Sequence, residues 1–359
     1  MKKNIIVYIG RFQCAHNGHI ATMETALGLA NRLIVVIGSH NMPRDVKNPW
    51  TAAEREAMIR ASLSADANAR TEFVYAENRL YSNTFWVRNV ERMVNEVVVT
   101  KFHYVNPSIG IIGNGKGDKD TAEYVNLFKQ WDVIPMQCVS LVGKPLHATK
   151  IREEMFTGHL GFVQHAVPTG VYDFLCEFVK TETFENLKGE YDYHVAEEKK
   201  YEQVPYGSYT RYTADPVVIQ SGHVLLIQRV KAPGKGLWAL PGGHVEQTET
   251  AFTASLRELA EETNIKLQPE VLERCKFEEK MFDHPDRSIV GRLTKKLVRS
   301  ATMAYGYKLD DSRNLPSVSP ADDAAEARWF SFEEIASMRN VLYEDHADII
   351  EYMLARVPE

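Results

Sequence analysis

The first half of the chain alternates unbroken apolar runs with stretches that are apolar on one side only. "NIIVYIG", residues 4–10, carries no polar alternation, the pattern of a strand covered on both faces. In "HIATMETALGLANR", Ile20, Met23, Ala26, Leu27 and Ala30 recur at helical spacing. "LIVVIGS" predicts a second strand, and "TAAEREAMIRASL" a helix that opens on a capping-box pair, Thr51 and Glu54. "EFVYA", "TFWVRNVERMVNEV", "IGIIGNG", "TAEYVNLFKQW" and "DVIPM" continue the strand-helix alternation. Such a series predicts an α/β fold with a doubly wound parallel sheet. Folds of this kind hold ligands at the carboxyl ends of their strands, where Gly10, Ser39 and Gly113 fall.

The pattern changes near Thr181. "TETFENLKGEYDYHVAEEKKYEQ" is charged and poor in aliphatics, and residues 181–204 are expected to connect two domains, 1–180 and 205–359, with some helix in the connector. Beyond it, "TRYTADPVVIQ" and "HVLLIQRV" predict paired strands around a Ser221-Gly222 turn. A glycine-rich loop, a helix, further strands and a closing helix around "YEDHADIIEYMLARV" follow, which predicts a mixed sheet with helices packed on it. There are no internal repeats or low-complexity segments.

Length and composition fit this division. A chain of 359 residues, 44% hydrophobic and 25% charged, has material for two cores. The net charge of -6 and the absence of basic runs argue against a nucleic-acid grip. Cys14, Cys138, Cys176 and Cys275 are scattered without a CxxC pair, which speaks against zinc or a disulfide framework and for a reducing cytoplasm. "MKKNIIVYIG" is too short an apolar run for a secretion signal and reads as a strand, and no stretch is long enough to span a bilayer. A soluble, cytoplasmic chain is expected, with no membrane partner; a homo-oligomer is left open, because the sequence does not show the oligomeric state.

Two stretches carry chemistry. In "GRFQCAHNGH" a strand ends at Gly10 and a helix begins near Gly18, so free backbone N–H groups and a helix dipole face the intervening loop, a seat for phosphate. Arg11 adds a fork of donors, and Gly18 lets a ligand approach the backbone. His16 and His19 flank Gly18 and are placed to stabilise charge on a pentacoordinate phosphorus. Taken alone, the same run reads equally as a helix cap with two surface histidines. The second stretch reads, from Gly243, G-x5-E-x7-R-E-L-x-E-E-x-N-I. Glu258, Glu261 and Glu262 stand at i, i+3 and i+4, so their carboxylates leave one helical face and repel unless a cation joins them. Hard oxygen donors select Mg2+ or Mn2+. A solvated acidic helix face is the alternative, but it would normally interleave lysines, and Arg257 is the only base nearby. Asn264 falls where the helix should end left-handed, a conformation asparagine tolerates.

Together "GRFQ", the His-x-Gly-His run and "HATKIR" at His147–Arg152 resemble the nucleotidyltransferase superfamily. "NPWTAAERE" and "YSNTFWV" narrow the resemblance to nicotinamide-mononucleotide adenylyltransferases of the archaeal type, over about residues 1–180. The resemblance implies that Gly10, Arg11, Phe12 and Gly18 bind substrate, that Thr149 and Arg152 hold the triphosphate of ATP, and that Asn83 and Trp86 hold the nicotinamide. A core aromatic is the alternative for Trp86. His147 and Ala148 stand where the family usually has serines, so His147 would have to supply a donor. Lys116 and Lys119 are further phosphate candidates, or solvated loop lysines. The implied reaction is attack of the 5′-phosphate of nicotinamide mononucleotide on the α-phosphorus of ATP, with Mg2+ accompanying the ATP.

The second stretch matches the Nudix box at every specified position except its last glycine, here Asn264. The match implies an α/β/α Nudix domain, a metal set of Glu258, Glu261, Glu262 and Gly243, an Arg257 that orients a glutamate, and a Glu249 that organises the loop or the second metal shell. "YTADPVVI", "PGKGLWALPGGHV" and "DHPDRSIVGR" resemble the ADP-ribose pyrophosphatase branch, which makes Arg287 and Arg292 phosphate candidates, with a salt-bridged structural role as the alternative. The chain as a whole resembles the adenylyltransferase–Nudix fusion family, which implies synthesis of NAD and hydrolysis of ADP-ribose to AMP and ribose 5-phosphate. Two other readings stand beside it: a Nudix half that only senses ADP-ribose, and a transferase with another phosphorylated acceptor.

Overall fold

Residues Ile5–Ile9 are all buried, and they form the middle of β1 (Lys3–Gly10). The computed structural model describes residues 2–114, 124–136, 140–141, 144–200, 208–287 and 297–358. The chain divides into two units, Met1–Lys188 and Gly189–Glu359.

In the first unit β1 is followed by α1 (Asn17–Leu29), β2 (Ala30–Ile37), α2 (Ala52–Ser62), α3 (Ala65–Ala69), β3 (Thr71–Tyr75), α4 (Asn83–Thr100), β4 (Ile109–Asn114) and β5 (Asp132–Met136). The five strands form one parallel sheet in the order β3-β2-β1-β4-β5. The chain moves outward from β1 to β3 on one side and returns to β4 on the other, so the direction of winding switches between β1 and β4. Ile5, Val7 and Ile9 pack with Val90, Val94 and Val98 of α4. Ile6 and Tyr8, equally buried, point to the opposite face.

The stretch expected as helix before β5 is helical at Tyr124 and Val125 and loosens after them. Residues 121–123 lie outside the described residues, and turns at 126–127 and 129–130 lead into β5. Val125, Phe128 and Trp131 are buried at a spacing of three, which successive i→i+3 turns satisfy as well as a helix does. After a short β6/β7 pair (Ser140–Leu141 and Lys144–Pro145), α5 (Ala148–Phe156), α6 (Leu160–Ala166) and α7 (Thr169–Phe178) complete the unit.

The charged stretch after Thr181 is a single helix, α8 (Glu182–Lys200). Thr181 Oγ1 caps it, with Glu182 and Glu185 in its first turn and Lys199 and Lys200 in its last, all matched to the helix dipole. Leu187, Tyr191 and His194 bury one side of it.

The second unit holds β8 (Ser208–Gln220), β9 (His223–Arg229), β10 (Trp238–Ala239), β11 (Gly243–His244), α9 (Ala251–Thr263), α10 (Pro269–Cys275), β12 (Lys276–Phe282), β13 (Leu297–Lys308), β14 (Ala324–Ser331), α11 (Phe332–Ser337) and α12 (His346–Leu354). Its seven-stranded sheet runs β10-β9-β8-β13-β12, with β11 on β8 and β14 on β9. The β8–β13 pair is parallel over its whole length and every other pair is antiparallel. β8 and β9 meet through Ser221 and Gly222, both left-handed, as a two-residue hairpin requires. Val217 and Ile219 of β8 pack with Ile349, Ile350 and Met353 of α12, whereas Ala214 and Val218 pack with Ala254 and Leu259 of α9. The mixed sheet is therefore covered by a helix on each face. No helix among the described residues is long and apolar enough to cross a membrane.

The capping box on α2 offers a test of local stability. Thr51 Oγ1 accepts from Glu54 N–H at 3.3 Å, and Glu54 returns the bond to Thr51 N–H at 2.7 Å. Thr51→Ala is expected to lower the stability of the first unit by about 1 kcal/mol in urea unfolding, and Thr51→Ser to retain it.

Candidate active sites

In the first unit the chain leaves β1 through a tight reversal. A Cβ on Gly10 would lie 2.8 Å from the Phe12 ring, and Phe12 is itself left-handed with φ 51°. Phe12 is buried, edge-on to Tyr8 at 5.3 Å and to His19 at 5.0 Å, so it is a floor under His19 rather than a surface open to substrate. His16 is the extended N-cap residue of α1, and its ring stacks on that of His19 with centroids 3.6 Å apart. Gly18 is buried between them.

Two imidazoles this close cannot both be charged. Burial, with His19 and His147 adding, holds His16 well below the usual histidine range. Burial lowers His19 to about 3 against the pull of the Cys14 carbonyl. Both rings are therefore neutral near pH 7. The His16 N–H donates to His19 Nδ1 at 3.3 Å, which leaves the His19 ring proton on Nε2.

The loop between Gly10 and His16 is held from beneath. Arg55, fully buried on α2, donates to the carbonyls of Arg11 at 2.6 Å, Gly38 at 2.7 Å and Thr51 at 3.1 Å. The Gln13 amide makes a two-way contact with the Trp50 backbone, at 2.9 and 3.2 Å. "HATKIR" opens α5 with His147 at its N-cap, and Arg152, also buried, donates to the Gln13 carbonyl and to Thr149 Oγ1 at 3.3 Å. His16, His19, Phe12, Thr149 and Arg152 thus converge on one loop. Arg11 is exposed beside it, and Asn83 is exposed at the start of α4. Trp86 is half-buried, edge-on to Phe128 at 5.6 Å and to Tyr124 at 6.4 Å. The Tyr124 hydroxyl donates to the Ile9 carbonyl at 2.7 Å, tying this aromatic group to the end of β1.

In the second unit the glycines are dictated by contact. A Cβ on Gly242, whose φ is 154°, would lie 2.2 Å from Asp215 Oδ1, and one on Gly243 would lie 2.4 Å from Glu258 Oε1. Asn264 ends α9 in the left-handed conformation its position requires. The three glutamates, however, do not share a common focus. Arg257 binds Glu258 at 2.8 Å, Glu261 at 3.0 Å and Glu249 at 2.7 Å, and reaches the His244 carbonyl. Glu262 turns inward and accepts from Gly242 N–H at 2.9 Å. Among the described residues no three acidic or imidazole groups stand together as a ligand set. The arrangement is nonetheless short of positive charge. Burial pushes Glu262 up to about 8, with Glu258 and Asp215 adding, and burial also raises Glu258 despite Arg257.

Arg287 is buried at 3% exposure, bonded to Asp345 and 3.9 Å from both Asp215 and Glu344. The structure gives it the salt-bridged role rather than an open phosphate contact. Arg292, Lys116 and Lys119 lie outside the described residues.

Comparison with known proteins follows the same division. The cytidylyltransferase-like family matches residues 7–153 and the NUDIX domain family matches residues 210–353. The nicotinamide/nicotinic acid mononucleotide adenylyltransferase of Acinetobacter baylyi is 32% identical over 190 residues, 53% of this chain and 94% of that protein. The nicotinamide-nucleotide adenylyltransferase of Pyrococcus abyssi is 29% identical over 182 residues, 50% of this chain and 87% of that protein. The crystal structure of a bifunctional NMN adenylyltransferase/ADP ribose pyrophosphatase from Francisella tularensis, complexed with AMP and a manganese ion, is similar across both units. It covers 98% of this chain and 99% of that one, with a TM-score of 0.88 and 30% identity. This chain belongs to that bifunctional family. Within the family frame, the stacked histidines fall in the adenylyltransferase unit and the glutamate helix in the Nudix unit.

Sequence reasoning did not single out Arg55, Gln13, Asp215 or His346. Arg55 lies within the quoted "NPWTAAERE" but was given no role there; its burial beneath the loop is what distinguishes it.

The neutral histidines predict a pH effect on stability. The folded pKa of His19, about 3, lies below the unfolded value of 6.5, so the unfolded state takes up a proton first as pH falls through 6.5. Stability is full above about 6.5 and is lost toward about 3. Between pH 7 and 5, urea unfolding of the first unit should show a stability loss smaller by about 1–2 kcal/mol in His19→Gln than in the unsubstituted protein. Equal losses would show that His19 is not held neutral.

Proposed function

We propose that the first unit, taken as residues 1–180, transfers AMP from ATP to nicotinamide mononucleotide, giving NAD and pyrophosphate. In the same proposal the second, residues 205–359, hydrolyses ADP-ribose to AMP and ribose 5-phosphate. The observation that carries this reading is the end-to-end likeness to a bifunctional adenylyltransferase/pyrophosphatase in a chain that retains both motif sets. The free cysteines Cys14, Cys176 and Cys275 support a cytoplasmic setting.

In the transfer, an oxygen of the mononucleotide 5′-phosphate forms a bond to the α-phosphorus of ATP as the bond to the departing pyrophosphate breaks. No protein nucleophile is needed, so the protein positions the reactants and stabilises charge. His16, neutral and stacked on His19, acts as a hydrogen-bond donor to phosphate rather than as a cation, and His19 joins it by turning its Nε2–H from the Cys14 carbonyl to the phosphate. Gly10, Arg11 and Gly18 line the loop, Thr149 and Arg152 secure its underside and the triphosphate end, and Asn83 and Trp86 receive the nicotinamide.

In the hydrolysis, water attacks one phosphorus of the pyrophosphate and the bridging P–O bond breaks. The hard oxygens of Glu258, Glu261, Glu262 and the Gly243 carbonyl suit Mg2+ or Mn2+. The raised Glu258 and Glu262, and the close seat of Gly243 against Glu258, support that fit. Such an ion supplies polarisation of the pyrophosphate and activation of water. Arg257 holds Glu249 and the His244 carbonyl, which keeps the glycine loop against the helix.

The test is direct. Protein with ATP, nicotinamide mononucleotide and Mg2+ should yield NAD and pyrophosphate, and a parallel sample with ADP-ribose should yield AMP. His19→Ala should lower only the first rate, and Glu262→Gln only the second, each by 100-fold or more as an order of magnitude. Binding of ADP-ribose without AMP would overturn the hydrolase assignment. A Trp86→Ala variant that weakens ATP and nicotinamide mononucleotide equally would count against the acceptor.

A further inference from the structure

The closing segment of the second unit does more than cap its core. Leu342 bridges to Trp238, Tyr343 N–H donates to the Trp238 carbonyl at 2.8 Å, and the Tyr343 ring fills the space a Cβ on Gly234 would need. The next contact in this series is a side chain. His346, the first residue of α12, is buried at 5% exposure, and its Nδ1 accepts from the Leu240 N–H at 2.9 Å. Leu240 opens the four-residue loop that ends at Gly243. Pro241 has no N–H to offer, Gly242 N–H is taken by Glu262, and Gly243 pairs with Ala214 of β8. The loop is thus fixed at its end by the catalytic helix and the sheet, and at its beginning by His346.

We propose that His346 is a positioning residue for the Nudix reaction: by accepting the Leu240 N–H it sets the glycine loop, and with it the Gly243 carbonyl, against Glu258 and Glu262. The inference rests on the hydrolase reading given above. The ring is suited to the task because burial and the nearby Arg287 and Arg229 keep it neutral, leaving Nδ1 free to accept. Asp345, the neighbouring residue, is bonded to the buried Arg287, which fixes the start of α12 from the other side. Removing the acceptor leaves a buried N–H without a partner, and the loop can satisfy it only by moving. Outer partners that orient a metal-binding shell typically change metal affinity or activity by about 10–100-fold when lost.

Three variants separate positioning from bulk. His346→Leu removes the acceptor. His346→Asn keeps one, because Asn Oδ1 is as many bonds from Cα as His Nδ1. His346→Gln keeps the same amide but carries it one carbon further. Measured in the full-length protein, His346→Leu and His346→Gln should lower kcat for AMP release about 10–100-fold with KM for ADP-ribose within about threefold, and should weaken Mn2+ binding followed by paramagnetic resonance. Hydrogen exchange at the Leu240 amide should quicken in both. His346→Asn should stay within about threefold on each measure, and NAD synthesis should be unchanged in all three. Normal kcat in His346→Leu, equal behaviour of the Asn and Gln variants, or unaltered protection of the Leu240 amide would each overturn the proposal. A parent protein that releases no AMP would remove the hydrolase reading instead. The positioning role is then judged by Leu240 exchange and Mn2+ binding alone.

Discussion

Where parallel strands run out into loops, backbone carbonyls just beyond the sheet lose their ladder partners and must find donors elsewhere. In the first unit Arg55 resolves this. Its guanidinium, sealed between α2 and the ends of β1 and β2, gathers the carbonyls of Arg11, Gly38 and Thr51. Burial and the neighbouring Arg11 lower its pKa to about 10, still far above neutrality, so it remains charged. The Thr51 carbonyl also accepts the Arg55 backbone N–H at 3.1 Å, so the guanidinium matters most to the Arg11 and Gly38 carbonyls, where losing a donor from a buried acceptor costs about 1–3 kcal/mol. The sharp turn through Gly10 and Phe12, and the stacked histidines that rest on it, depend on that central cation. Arg152 repeats the device from α5 by holding the Gln13 carbonyl.

The second unit solves the complementary problem with acceptors instead of donors. Its glycine loop presents N–H groups inward, and Glu262 and His346 receive them. In both units a buried polar side chain from a helix disciplines a loop whose glycines leave it free to take other shapes. The groups that meet substrate are carried by those loops, and the precision of the sites is set one layer below.

That lower layer is where the sequence was hardest to read. β1, the Thr51–Glu54 box, the Ser221-Gly222 turn and the left-handed Asn264 were legible because each is governed by neighbours within a few residues. The two motif sets were legible because their residue types are unusual in combination. Arg55 and His346 were not, since an arginine or histidine on an amphipathic helix looks the same whether it faces water or a buried carbonyl. The i, i+4 spacing of the glutamates correctly put them on one helix face, but it could not show that Arg257 would divide their carboxylates. The helix expected over 121–131 holds at 124–125 but was carried too far into 126–131, where a repeat of three suits turns as well as helix.

The parallel pairing of β8 with β13 also governs how the second unit is assembled. Ser208 is registered with Leu297 and Ile219 with Lys308, so the central strand waits for a partner almost ninety residues further along the chain. During synthesis β8 can meet β9 early through its hairpin, but its other edge stays unpaired until β13 has emerged. Such long-range pairing is slow, because loop closure costs entropy before any contact repays it. The first unit, whose strands all lie before residue 146, can reach its final form while that edge is still open. A ribosome-bound chain would then carry a finished adenylyltransferase sheet and a Nudix strand still exposed to chance pairing, so the interval before β13 emerges is one in which aggregation competes with folding.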